Sequence, residues 1–147
     1  MPLIKASSSV IQSIDASQIQ PSGAADGEVL QYSQSLENWI PSPLDTTIKS
    51  VSGAYQLQLS DQNCVVRVSS PSNVNVTVPH SSLANFSIGS QIVVIQEGAG
   101  KLTFVGAAGV GVLANDSRYK TYGQMSGAVL IKLEGNLWFL GGDISDT

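Results

Sequence analysis

From Leu44 onward the chain is a close succession of short apolar runs punctuated by Gly, Asn, Ser and Pro. Tyr55–Leu59, Cys64–Val68, Val74–Val78, Gln91–Gln96, Lys101–Val105, Val110–Leu113, Tyr119–Tyr122, Ala128–Leu133 and Leu137–Leu140 each have strand length, and no helix-length pattern follows residue 50. Val74-Asn75-Val76-Thr77-Val78 alternates, and so does Tyr55-Gln56-Leu57-Gln58-Leu59, which predicts one packed and one wet face. Ile92–Ile95 and Val129–Ile131 are continuous and read as central strands. Ser60–Asn63, Ser69–Asn73, Glu97–Gly100 and Glu134–Asn136 have the composition of hairpin turns. Pro79–Leu83 reads as a helical turn joining two sheets. The expectation for residues 44–147 is an all-β domain, a two-sheet β-sandwich or jelly roll.

Composition removes several functions. The 147 residues suffice for one domain and a tail. Charged residues make up 12%, against about 25% in an average soluble protein, and 22 serines replace ions on the surface. Seven Lys plus Arg and a net charge of −4 leave no basic footprint for nucleic acid. A hydrophobic content of 42% argues against disorder, and no apolar run is long enough to insert in a membrane. The N-terminus lacks a charged region followed by an apolar one, so Sec export is not expected. The sequons at Asn75, Asn85 and Asn115 are then chance occurrences. Cys64, the single cysteine, sits in a strand-like run and reads as a small buried hydrophobe.

Residues 1–43 differ in kind. Ile11 and Ile14 share a helical face, but the stretch is too short and Ser-rich to hold a helix alone. Residues 21–27 form a loop. Two short strands follow, Glu28–Tyr32 and Asn38–Pro41, and Pro41-Ser-Pro43 closes the segment as a stiff linker. Such a segment cannot bury itself. It reads as an extended arm with a short strand module, and Ile11, Ile14, Val29, Leu30, Tyr32, Trp39 and Ile40 are its candidate contact residues. Trp39 is expected to be buried at a contact.

Motifs for chemistry are weak. His80 is the only histidine, no G-x-S-x-G accompanies any serine, and no carboxylate pair stands out. Gly98-Ala-Gly-Lys101 fails the phosphate-loop spacing, and no helical run follows Gly106–Gly111 to make a dinucleotide site. Asn115-Asp116-Ser117 is an ordinary loop. Neither a cofactor nor a metal site is expected. The one aromatic cluster with polar neighbours is Arg118, Tyr119, Lys120 and Tyr122, a candidate glycan contact.

Two stretches carry a resemblance. Asp26-Gly-Glu-Val-Leu-Gln-Tyr32 followed by Asn38-Trp-Ile-Pro41 resembles a short module of tailed-phage fibre and virion surface proteins. Val74–Pro79, Phe86-Ser-Ile-Gly-Ser90, Gln91–Ile95, Glu97–Gly100 and Asn136-Leu-Trp138-Phe-Leu-Gly-Gly-Asp143 follow in the order of a β-domain of fibre-type phage proteins, cyanophage ones among them. The resemblance spans nearly the whole chain. It implies a non-enzymatic structural protein of the virion surface, made in the host cytoplasm and usually a homotrimer, with capsid or tail proteins as partners. A chain with an arm and one β-domain, but no shaft, is expected to be a capsid decoration or knob protein. The alternative is a short tail-fibre adhesin subunit acting in host attachment and binding host-surface glycan.

Overall fold

The computed structural model describes residues 28–33, 35, 37–43 and 45–147. The chain divides into two units, Met1–Asp45 and Thr46–Thr147.

In the first unit, β1 (Glu28–Ser33) and β2 (Asn38–Pro43) form an antiparallel hairpin. Its register sets Leu30 opposite Pro41 and Tyr32 opposite Trp39. Pro41-Ser-Pro43 is thus the second half of β2 and not a linker. Proline is tolerated because both strands of a two-stranded hairpin are edges.

The second unit holds β3 (Ile48–Ser52), β4 (Tyr55–Gln56), β5 (Val65–Ser69), β6 (Val74–Val78), β7 (Gln91–Gln96), β8 (Leu102–Gly106), β9 (Gly111–Ala114), β10 (Lys120–Thr121), β11 (Gly127–Glu134), β12 (Leu137–Gly142) and β13 (Ile144–Ser145). They build a five-stranded sheet, β13-β10-β8-β6-β4, and a six-stranded sheet, β3-β5-β7-β11-β12-β9. The domain is an all-β two-sheet sandwich, as the strand spacing predicts. The continuous runs lie in β7 and β11, which have a neighbour on either side.

The path between sheets departs from the hairpin expectation. From β3 to β10 successive strands alternate sheets, and β3, β5 and β7 are mutually parallel, as are β4, β6 and β8. Val65 lies beside Val93 and Val74 beside Leu102, the same offset of 28 residues in both sheets. This half of the sandwich is therefore a coil. Ser60–Asn63, Ser69–Asn73 and Glu97–Gly100 are its corners, and only Glu134–Asn136 joins an antiparallel pair, β11 and β12. Corners stack as closely as strands do. A Cβ on Gly98 would stand 2.2 Å from the Ser70 carbonyl oxygen, and one on Gly100 2.0 Å from that of Ser72. Asparagines finish the stacking: Asn63 Oδ1 accepts the Gln91 N–H at 3.1 Å and Asn73 Oδ1 the Lys101 N–H at 2.8 Å. The Gly-Ala-Gly-Lys motif is thus a place of close backbone approach.

Between the sheets lie Leu57, Val66, Val68, Val76, Val78, Phe86, Ile92, Val94, Leu102, Phe104, Leu130, Trp138 and Leu140, all at most 2% exposed. Each such aliphatic side chain contributes about 1.5–3 kcal/mol relative to exposure. Phe86 meets Trp138 edge-on, 5.2 Å between centroids. Pro79–Leu83 is the expected turn between sheets, with Leu83 and Ala84 N–H both donating to the His80 carbonyl. Inside the core, Thr121 Oγ1 donates to Gln96 Oε1 and accepts the Leu102 N–H at 2.9 Å, tying β10 and β8 to β7 across the sandwich. The alternation predicted through Leu59 stops at Leu57. The Asp61 carboxylate takes the Gln58 N–H at 2.8 Å and turns the chain into a 3-10 turn, Leu59–Asp61, which leaves Leu59 exposed.

Candidate assembly interface

Two polar clusters bring titratable side chains together. The first joins Lys49 on β3, Tyr55 on β4 and Asp61. Lys49 Nζ donates to Tyr55 Oη at 2.6 Å, to Asp61 Oδ1 at 2.8 Å and to Gln58 Oε1 at 3.3 Å, and Tyr55 Oη donates to Asp61 Oδ2 at 2.9 Å. The Asp61 side chain is fully buried, while that of Lys49 is 33% exposed. The hydrogen bond to Asp61, then the one to Tyr55, holds Lys49 above the ordinary lysine pKa. Burial, before any other cause, raises the Tyr55 hydroxyl. An ammonium held charged is no nucleophile, and the carboxylate is spent on its partners. The cluster closes the sandwich where β3 and β4 end their sheets. An inward-pointing charge on an edge strand also discourages pairing with another edge. Residues this far apart in sequence gave no motif, and sequence reasoning missed them.

The second cluster is His80, Ser82 and Asn136. His80 Nδ1 lies 2.9 Å from Ser82 Oγ, the distance of a nucleophile and its base. A working pair needs an acceptor behind the ring to steady the imidazolium. Here the group 2.7 Å from Nε2 is the Asn136 amide nitrogen, held so because Asn136 Oδ1 accepts the Ser81 N–H at 2.8 Å. The arrangement pins the β6–β7 connection to the β11–β12 turn. Cys64 is buried, its thiol directed at the Ser60 and Gln62 carbonyls. Among the described residues no three His, Cys, Asp or Glu side chains gather to hold a metal, and no helix is long and apolar enough to cross a membrane.

The candidate glycan residues do not share one face. Tyr119 packs against the core beside buried Thr121, while Tyr122 is exposed. Period-two alternation through β10 separates the two rings. Arg118 pairs with Asp116 at 3.6 Å, and Lys120 Nζ donates to the Asp146 carbonyl at 3.4 Å. One exposed ring with a lysine beside it remains, not an aromatic platform.

The arm residues divide as follows. Ile11 and Ile14 lie outside the described residues. Val29 and Leu30 are exposed, Trp39 is 62% exposed and Ile40 is half-buried. Tyr32 stands opposite Trp39 in the register. A lone two-stranded hairpin is marginal in water, and this one exposes two aliphatic side chains and most of an indole. No family model, curated protein or solved structure matches the chain.

Proposed function

We propose that this chain is a non-enzymatic structural component of a phage particle surface: a homotrimeric capsid decoration protein whose N-terminal arm docks on the shell and whose sandwich projects from it. The observation that carries the reading is the β1–β2 hairpin, which belongs to a unit separate from the sandwich and exposes Val29 and Leu30, while the sandwich has a complete core of its own. The order of motifs, which resembles that of fibre-type phage proteins, supports the same assignment. So do the two polar clusters, whose groups satisfy one another instead of facing a substrate.

Removing residues 1–43 tests the anchor. Truncated protein is expected to be missing from purified particles that carry the full chain; truncated protein that still decorates them refutes the assignment. Tyr122, exposed beside Lys120, favours a second reading, a short tail-fibre adhesin that binds host glycan. A glycan array separates the two, since decoration requires no glycan affinity. Imaging of labelled protein on the intact particle places it on head or tail.

A further inference from the structure

The six-stranded sheet is apolar on both sides, and only one side is covered within the domain. Its inner positions form the core. Its outer positions run in rows set by the register: Ile48, Val65, Val93, Val129 and Gly141 in one, Gln91, Ile131, Phe139 and Leu113 in the next, Ser50, Arg67, Ile95 and Gly127 in a third. Ile48, Val93, Leu113 and Phe139 are exposed. Gly141 leaves a gap in the first row, and the Phe139 ring fills it: a Cβ on Gly141 would sit 2.7 Å from that ring. The result is a level, nearly uncharged face. The one ion in these rows is Arg67, already paired with Glu97.

We infer that this outer face is the surface on which sister copies of the chain pack. The inference rests on the homotrimeric reading above and names the contact that closes it. Its size fits. Six strands about 4.8 Å apart, and roughly five residues at about 3.3 Å each, span about 24 by 16 Å. That projection of roughly 400 Å² matches the largest apolar patch of a typical monomer, which is often functional. A standard interface takes roughly 800 Å² of accessible surface from each partner, and the side chains standing off this projection add to its accessible area. Its chemistry selects the occupant. A charged partner finds no unpaired ion in the rows, and a strand-adding peptide meets edge β3 with Lys49 turned inward. Sister copies arranged about a three-fold axis each bring the same apolar, uncharged face toward it.

Sedimentation equilibrium of the full chain at micromolar concentration, with Val93→Lys and Asn75→Lys variants, tests this. Val93 is central in the outer face, and Asn75 is exposed on the opposite sheet. Wild type and Asn75→Lys are expected at three times the 15.4 kDa chain mass, and Val93→Lys at the chain mass with its cooperative melt intact. A trimeric Val93→Lys overturns the choice of face and leaves the trimer standing. Wild type at the chain mass overturns both. If Val93→Lys loses its cooperative melt, Ile48→Lys decides by the same outcomes, because that side chain is 63% exposed and lies on the edge strand.

Discussion

The two faces of the six-stranded sheet are made of the same residue types and have different fates. Val66, Val68, Ile92, Val94, Leu130 and Leu140 on the inner face are wholly or nearly wholly removed from water by the domain's own second sheet. Val65, Val93, Ile95, Val129 and Ile131 on the outer face stay partly exposed. An alternating strand states its own orientation, because one set of residues is polar. A strand apolar on both faces states only that two covers are needed. In this chain the fold supplies one cover, and the other is assigned to assembly. The inner face should therefore govern stability and the outer face association.

The comparison can be broken from either side. The largest expected effect is Leu130→Ala, which empties a fully buried inner position and should cost about 2–5 kcal/mol in a denaturant titration. Asp61→Ala comes next. It removes the carboxylate that accepts from Lys49, the Tyr55 hydroxyl and the Gln58 N–H, and about 2 kcal/mol is expected; the partial exposure of Lys49 and its remaining acceptors keep the cost below that of a fully buried pair. Val129→Thr on the outer face should change monomer stability by less than about 1 kcal/mol, read by chemical denaturation at high dilution, while weakening association at least tenfold. A loss of monomer stability as large as that of Leu130→Ala would erase the distinction between faces.

The smallest effect is alkaline. Lys49 and Tyr55 both hold their protons more tightly when folded than the ordinary values of 10.5 and 10.0. Their contribution is therefore complete below about pH 10 and is lost as pH rises through the raised values. Melting temperature should stay level from neutrality to that point and then fall, and Asp61→Asn should shrink the fall. An unchanged alkaline slope in Asp61→Asn counts against the cluster as its origin.

Much of the fold was legible in the sequence. Strand positions follow from apolar runs, the continuous runs pick out β7 and β11, and the β1–β2 hairpin follows from two short strands around Ser33–Ser35. The coil was not legible. Ser, Asn and Gly make a corner between sheets as readily as a hairpin turn, and neighbours 28 residues apart share no repeated motif that would reveal the offset. Strand β3 was missed because Ile48 and Val51 are its only large apolar residues. Tyr119 was grouped with Tyr122 by composition, although alternation sends one inward and the other outward. The outer face was half-visible, as Val-rich runs lacking the polar partners that a wet surface would require.

Carbene footprinting of the full chain across a dilution series tests the central claim most directly, because it reports exposure residue by residue. Labelling at Val93, Val129 and Ile131 is predicted to fall as concentration rises, while Asn75 and Gln56 stay labelled throughout. Outer-face labelling that is the same at every concentration would contradict the account.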